Sequence, residues 1–225
     1  MKKQTARKKT PAPILTIGHS TRTREAFVGL LQTHQVARLV DVRTVPRSRH
    51  NPQFNRESLP AALAAAGIRY EHLGGLGGLR HARADSPNQG WRNASFRGFA
   101  DYMQTDEFAE SLKTLMGWAR KDRVVLMCAE AVPWRCHRSL IADALTVRGI
   151  RVEHILSGAR TQTHVITPWA RVEGKRITYP AEEATSTEDA SPAPKAKSSP
   201  RARSSHKAKG DEAATLRQSR SDWKF

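Results

Sequence analysis

Short apolar runs alternate with amphipathic stretches between residues 14 and 180, and this alternation constrains the fold more than any other feature of the chain. Runs such as "ILTIG" and "DRVVLMC" have the length and apolar content of buried strands. Stretches such as "TREAFVGLLQTHQV" and "HRSLIADALTVRG" repeat their apolar residues at helical spacing. Strands that alternate with helices form a mostly parallel sheet with helices on both faces. The pattern therefore predicts a single α/β domain with three layers.

Other elements follow from the same patterns. "ARLVDVRT" and "IRYEHL" are predicted strands, and "IRVEHIL" is predicted to be the last strand of the domain. Thr23 is positioned to cap the first helix. A helical pattern runs from Phe96 to Arg120 and is interrupted near Thr105.

The two ends of the chain differ in composition from its middle. Residues 1–13 contain five basic and no acidic residues, and residues 181–225 are rich in Ala, Ser, Pro, Lys and Arg. Such segments bury too little apolar surface to offset the entropy of ordering, so we expect two disordered basic tails. The formal net charge of +17 favours phosphate-bearing ligands, or nucleic acid bound non-specifically through the tails. A basic surface that serves only solubility remains the alternative.

Several classes of protein are disfavoured by composition. The basic N-terminus lacks the apolar segment of a signal peptide, and no apolar run approaches the roughly 20 residues of a membrane-spanning helix. Two cysteines in 225 residues do not form the framework of a secreted disulfide-rich protein. We therefore expect a cytoplasmic protein with no membrane partner.

Polar residues follow four of the predicted strands. His19, Asp41, Glu71 and Cys128 each stand at or near a strand end. Ligands of parallel α/β sheets bind outside the carboxyl ends of the strands, so these side chains are expected to converge there.

The stretch "CAEAVPWRCHRS" contains both cysteines and permits several interpretations. Cys136 stands where a helix begins, beside His137 and Arg138, and such a position lowers the pKa of a thiol and binds anions. Cys128, Cys136 and His137 are candidate metal ligands, although their spacing is not a standard zinc pattern. A disulfide would be transient in a reducing compartment, and two buried thiols of purely structural role are the remaining alternative.

Two further strand ends offer candidate groups. In "GHSTR", His19 is a candidate acid or base and Ser20 a candidate anion ligand, with simple helix capping as the alternative. In "DVRTVPRSR", Asp41 and Arg43 share a strand face, where Asp41 could orient the arginine toward a phosphate or form only a structural ion pair. Ser48 lies in the polar loop that follows.

Five segments, in order, resemble the Domain of Unknown Function 488 family: "LTIGHST", "LVDVRTVPRSRHNPQFN", "GIRYEHLGGLGG", "VVLMCAEAVPWRCHRSLIADAL" and "RVEHIL". The resemblance covers about residues 14–156 and implies a Rossmann-like α/β domain, but no settled activity. The residues that match the family signature are His19, Ser20, Asp41, Arg43, Pro46, Ser48, Cys128, Glu130, Cys136, His137 and Arg138.

We therefore predict a pocket at the carboxyl edge of the sheet, in an enzyme that acts on a nucleotide or another phosphate-bearing ligand. The predicted catalytic residues are His19, Asp41, Cys128, Glu130, Cys136 and His137. The predicted anion-binding residues are Ser20, Arg43, Ser48 and Arg138. The alternatives are a non-catalytic module for nucleotide or nucleic acid and a thiol or metal sensor, and the cofactor is left open.

Overall fold

The computed structural model describes residues 12–181, so the two predicted tails lie outside the described residues except for 12, 13 and 181. The elements, in chain order, are β1 (Ile14–Gly18), α1 (Arg24–Thr33), β2 (Arg38–Asp41), α2 (Leu59–Ala65), β3 (Arg69–His72), α3 (Ala94–Tyr102), α4 (Asp106–Ala119), β4 (Val124–Cys128), α5 (Arg138–Thr146), β5 (Val152–Ser157), β6 (Arg160–Thr163), β7 (Arg171–Glu173) and β8 (Arg176–Thr178).

The sheet has six strands in the order β3-β2-β4-β1-β5-β6. The first five are parallel, and β6 pairs antiparallel with β5. The predicted mostly parallel, Rossmann-like α/β fold is therefore confirmed. The prediction that "IRVEHIL" is the last strand is wrong, since β6 follows it and β7 pairs with β8 in a separate hairpin.

Alternate residues of the central strands face two different cores. Leu15 and Ile17 of β1 pack on one face with α1 and α2, whereas Ile14 packs on the other face. The second core includes the buried residues of α3, α4 and α5. This alternation follows from the two-residue period of a strand and produces the three predicted layers.

Threonine caps begin two of the helices at the predicted places. The Ala26 N–H donates to Thr23 Oγ1 at 3.2 Å at the start of α1. The Phe108 N–H donates to Thr105 Oγ1 at 3.3 Å at the start of α4, so the predicted interruption near Thr105 is where α3 gives way to α4. Both caps satisfy N–H groups that a helix cannot pair internally.

The connections that follow β1 and β4 diverge. These strands are neighbours, yet α1 after β1 lies on one face and α5 after β4 lies on the other. Gly18, the last residue of β1, makes room for the loop after β4, because a Cβ atom there would lie 1.9 Å from the Glu130 carbonyl oxygen. Divergent connections of this kind mark the ligand-binding position of open α/β sheets. Within residues 12–181, no helix combines the length and apolar character needed to cross a membrane.

Candidate active site

A cavity of about 390 Å³ opens at the carboxyl ends of β2 and β4. Its walls come from the loops after these two strands, from residues 78–79 and from the start of α3. The lining residues that bear on chemistry are Arg43, Arg47, Cys128, Arg135, Cys136 and His137. This is the edge of the sheet at which the sequence predicts a ligand site.

Both thiols of the chain lie at this cavity, and neither forms a disulfide. Cys128 Sγ, Cys136 Sγ and one ring nitrogen of His137 all lie within 4.8 Å of one another. His137 Nδ1 is 3.7 Å from Cys136 Sγ, and the opposite nitrogen, Nε2, lies 3.0 Å from the Val42 carbonyl oxygen. Because only a protonated Nε2 can donate to that carbonyl, Nδ1 is the free acceptor of the neutral ring. His137 is therefore oriented to take the proton of Cys136.

Arg138 supplies a buried positive charge behind the sulfur. Its side chain is only 1% exposed. Its Nε donates to Cys136 Sγ at 3.3 Å, its Nη2 donates to the Glu130 carbonyl, and its Nη1 donates to Thr16 Oγ1 at 3.5 Å. The sequence predicts that Arg138 binds an anion, and in the structure its Nε faces the Cys136 sulfur.

The two thiols differ in acidity. Burial raises the pKa of Cys136, but the hydrogen bond from Cys128 and the charges of Arg138 and His137 outweigh burial, and the pKa falls well below its ordinary value. The pKa of Cys128 is raised well above its ordinary value by its hydrogen bond to Cys136 and by burial. Cys136 therefore ionises first, with the Cys128 S–H as a donor to its thiolate.

Gly78 fixes the position of the His137 ring. A Cβ atom at Gly78 would lie 2.4 Å from His137 Nδ1, well inside van der Waals contact. Only glycine lets the residue 78 backbone approach so closely without displacing the imidazole. The close approach of Gly78, in the "GGLGG" loop, thus limits where the His137 imidazole can lie.

Asp41 and Arg43 form a buried pair beside the cavity. Arg43 Nε and Nη2 donate to the two Asp41 carboxylate oxygens at 2.9 and 2.6 Å. The Tyr70 hydroxyl donates to Asp41 Oδ2 at 2.9 Å, and Arg43 Nη2 also donates to the Phe54 carbonyl at 2.7 Å. This bidentate pair ties the end of β2 to the following loop and sets the orientation of the guanidinium that lines the cavity.

His19 lies beneath the cavity wall and is held as a neutral ring. Its ring stacks on Phe54 with centroids 4.3 Å apart. Its Nδ1 donates to the Ser20 carbonyl at 2.8 Å, so Nε2 accepts from Arg43 Nη1 at 3.4 Å. Burial, reinforced by the nearby charge of Arg43, lowers the pKa of His19 to about 4. His19 is absent from the cavity lining, and its contacts orient Arg43.

The remaining predicted residues have the following places. Ser20 occupies the turn after β1 with φ of 51°, and its N–H donates to the Ala129 carbonyl at 2.9 Å. Ser48 Oγ accepts from the Asn51 N–H at 3.0 Å inside its own loop, outside the cavity lining. Glu130 lines the cavity, and its carboxylate accepts from the Val132 N–H at 3.2 Å.

Arginines outnumber carboxylates in the cavity lining, and two of them have carboxylate partners outside the lining. Three arginines and one carboxylate line the cavity, and Arg47 at the rim pairs with Glu57 at 2.9 Å. Val45 and Leu79 add exposed apolar surface at the mouth. A concave site with these properties suits a ligand that carries both an anionic group and an apolar part.

Sequence reasoning missed a group of buried polar residues behind the site. They are Thr16, Asp143, His154, His164, Thr167 and Tyr179. A signal was present for two of them: His154 interrupts the apolar strand pattern "IRVEHIL", and Asp143 falls on the buried face of the helix "HRSLIADAL". A polar residue at a core position requires a partner, and that requirement could have drawn attention to both.

Comparison with known proteins identifies a family. The model of the family described as Domain of unknown function DUF488 matches residues 23–145, more than half of the chain. The chain belongs to the DUF488 family. The match is shorter than the predicted 14–156, so His19 and Ser20 fall outside it, whereas the candidate residues from Asp41 to Arg138 fall inside. No curated protein and no solved structure matches the chain.

Proposed function

We propose that this DUF488 protein is a thiol-dependent enzyme that acts on a nucleotide or another phosphate-bearing ligand. The observation that carries the proposal is the position of Cys136 Sγ, which lines the cavity 3.7 Å from His137 Nδ1 and 3.3 Å from Arg138 Nε. A nucleophile, an adjacent base and a group that orients the base are the three parts of covalent catalysis by a side chain. Here the Val42 carbonyl orients His137.

The chemistry of such a site follows from its proton positions. His137 Nδ1 takes the Cys136 proton, and the resulting thiolate is stabilised by the Cys128 S–H and by Arg138. The thiolate attacks an electrophilic centre of the ligand, and the leaving group recovers the proton from His137 as its bond breaks. Water then releases the group held on sulfur. Arg43 and the rim arginines attract the anionic part of the ligand.

His19, Asp41 and Arg138 act in this proposal as positioning residues. Asp41 and His19 hold Arg43, and Arg138 holds the sulfur. Ser20 and Ser48 remain predicted contacts of the ligand. A cytoplasmic location is part of this proposal, because two adjacent cysteines stay reduced in a reducing compartment.

Alkylation mapped by mass spectrometry tests the proposal. We expect iodoacetamide at neutral pH to modify Cys136 at least about tenfold faster than Cys128, because only a thiolate is reactive. Inorganic phosphate or a nucleotide should slow the reaction by occupying the cavity. Cys128→Ser is the matched control and should leave Cys136 reactive. Equal labelling of both thiols, or labelling of neither in the native protein, would contradict a poised Cys136.

A metal site is the second candidate, favoured by the same three ligand atoms within 4.8 Å. The hydrogen bond of His137 Nε2 to Val42 is the kind of outer contact that metal-bound histidines make. Two thiolates and one imidazole would leave a fourth position open, as in catalytic zinc sites. About one zinc or iron per chain in untagged protein, lost in both Cys128→Ser and Cys136→Ser, would favour this candidate over the nucleophile.

A non-catalytic module for nucleotide or nucleic acid is the third possibility, and it depends on the basic ends of the chain. Deletion of residues 1–11 and 182–225 removes the segments outside the described domain. We expect the shortened chain to keep the selective labelling of Cys136. Loss of nucleic-acid binding with a steep salt dependence, without any effect on labelling, would assign the tails a separate role.

A further inference from the structure

A row of buried polar side chains leaves the candidate active site at the first residue of α5 and ends at Asp143 in the same helix. It begins at Arg138, whose Nη1 lies 3.5 Å from Thr16 Oγ1. Thr16 Oγ1 lies 2.7 Å from His154 Nδ1, and His154 Nε2 lies 3.0 Å from His164 Nδ1. His164 Nε2 lies 2.8 Å from Asp143 Oδ1. The row therefore joins a buried arginine to a buried aspartate.

At the Asp143 end of the row, both carboxylate oxygens accept hydrogen bonds. In addition to His164, its carboxylate accepts hydrogen bonds from the Thr167 N–H at 3.0 Å, the Thr167 hydroxyl at 2.7 Å and the Tyr179 hydroxyl at 2.8 Å. A carboxylate that receives four donors acts here only as a hydrogen-bond acceptor. The last contact also ties Tyr179, the residue directly after β8, to this row.

Because the Asp143 carboxylate accepts at both oxygens, it sets the direction of the donors in the row. His164 donates through Nε2, and in the tautomer that carries its single ring proton there, Nδ1 accepts from His154 Nε2. His154 Nδ1 then accepts from the Thr16 hydroxyl, and Thr16 Oγ1 accepts from Arg138. All donors in the row thus point away from Arg138 and toward Asp143. Burial keeps His154 neutral by lowering its pKa well below the ordinary value.

We propose that Thr16, His154, His164 and Asp143 form a relay of positioning residues that holds Arg138 against the sulfur of Cys136. The relay gives the buried guanidinium a distant counter-charge without placing a carboxylate next to the thiol. A carboxylate at that place would repel the thiolate, whereas four hydrogen bonds through three intervening side chains transmit the polarity and keep the negative charge away. This inference rests on the proposed function, because it concerns the same sulfur.

The pattern of burial supports a dedicated relay. Thr16, His154, His164 and Asp143 are all buried, although none of them lines the cavity. Apolar residues in these positions would avoid the cost of burying polar groups. A fully connected row of polar groups fixes a single arrangement of the side chains around it. Here that arrangement includes the group that touches Cys136.

Thr16→Val tests the relay, because it removes one hydroxyl from β1 and keeps the shape of the side chain. Thr146→Val is the matched control, since the Thr146 hydroxyl is buried without a hydrogen-bond partner in the described part of the chain. The measurement is the ratio of alkylation rates of Cys136 by anionic iodoacetate and neutral iodoacetamide. This ratio reports the positive charge at the sulfur and is insensitive to a loss of stability alone.

We expect Thr16→Val to lower the ratio about threefold to tenfold, because Arg138 loses the contact that aligns it. Thr146→Val should leave the ratio unchanged, and Thr16→Ser, which restores a hydroxyl, should recover most of it. An unchanged ratio in Thr16→Val would overturn the relay while leaving the proposed function intact. If the wild-type protein shows no selective labelling of Cys136, the proposed function fails, and the next measurement decides on the relay separately.

Nitrogen-15 NMR of the full, histidine-labelled chain provides that measurement. The relay requires both His154 and His164 to be neutral with the proton on Nε2, and a coupling across the hydrogen bond from His154 Nε2 to His164 Nδ1. Thr16→Val should shift the His154 resonances and leave those of His34, whose Nε2 bonds the Gly158 carbonyl, unchanged. A proton on His154 Nδ1, or a charged His154, would reverse the row and overturn the proposal.

Discussion

Two ends of the same pair of strands carry ion pairs of opposite character. At the amino ends of β2 and β4, Asp122 accepts from Arg38 at 2.9 Å and also pairs with Arg69, whose side chain is 56% exposed. At the carboxyl ends, Arg43 binds Asp41 at 2.6 Å with side chains 5% and 0% exposed. The residue types are the same, but the clusters differ in exposure. Arg38 and Asp122 are 11% and 12% exposed and share the cluster with the solvent-facing Arg69, whereas solvent is almost excluded from the second cluster.

This difference in solvent exposure shows which of the two ion pairs carries a large desolvation cost. Ion pairs in contact with solvent contribute little to stability because water and salt screen them. A buried pair loses its hydration, and it contributes only when its hydrogen bonds are complete, as they are for Asp41 with Arg43 and Tyr70. At the carboxyl end, charged groups that are costly to bury are therefore held in a single arrangement, as the proposed active site requires.

Among the substitutions that test this comparison, Asp41→Asn should cause the largest loss of stability. The substitution keeps the shape of the side chain but leaves the Arg43 guanidinium buried without its counter-charge. We expect the free energy of unfolding to fall by about 3–5 kcal/mol. Urea denaturation followed by circular dichroism measures the change. A loss below about 1 kcal/mol would mean that water enters this end of the sheet and that the contrast is false.

Acid should destabilise the carboxyl end through His19. Its folded pKa of about 4 lies below the ordinary value of 6.5, so the unfolded chain binds this proton more readily. The stability that His19 contributes is therefore complete above pH 6.5 and is lost as the pH falls toward 4. We expect a loss of about 2 kcal/mol between pH 7 and pH 5. Buried His154, whose pKa is also lowered, adds to the same trend.

Denaturant titrations at pH 7, 6 and 5 measure this dependence. His19→Gln should flatten it, because the amide does not titrate, whereas His34→Gln serves as a control for the loss of another histidine. A wild-type stability that rises toward pH 5 would show that the His19 ring is protonated in the folded protein.

Gly78→Ala should disturb the carboxyl end by shape alone. The new methyl group meets the His137 ring, and crowding of this kind in a packed region costs about 1–3 kcal/mol. We also expect slower labelling of Cys136 by iodoacetamide, since the displaced His137 can no longer take its proton. Gly117→Ala in α4 is the matched control, because nothing lies within 4 Å of its added methyl group. The prediction fails if both variants label Cys136 at the wild-type rate.

Sequence patterns predicted the layers, the five parallel strands and the place of the cavity, because periodicity and strand ends are local properties. They did not predict β6 to β8, which are short and mostly exposed strands with little apolar alternation. The pattern also could not show that Arg138 faces inward. That orientation depends on Thr16, which precedes it by 122 positions, and such contacts exist only once the sheet has formed.

The roles of the candidate residues show the same limit. The sequence brought His19 and Arg43 to one edge of the sheet, but it could not distinguish a group that faces a ligand from one that orients a neighbour. The distinction rests on contacts, such as the 4.3 Å stacking of His19 on Phe54, that no spacing encodes. The proximity of the two thiols was easier to predict, since both cysteines stand in one short stretch between a predicted strand and a predicted helix.

Asp122→Asn should have the smallest effect and completes the contrast between the two ends. Its carboxylate is 12% exposed and is shared with Arg69, which is largely open to solvent, so the expected loss is about 0.5–1 kcal/mol, and it should shrink further in 1 M salt. The same denaturation measurement applies, with Asp41→Asn as the buried counterpart of an identical chemical change. The labelling of Cys136 should be unaffected, because the amino edge does not contribute to the cavity lining. Losses of equal size in the two variants would mean that burial does not separate the two ion pairs. The buried Asp41–Arg43 pair would then carry no extra desolvation cost that a functional role has to explain.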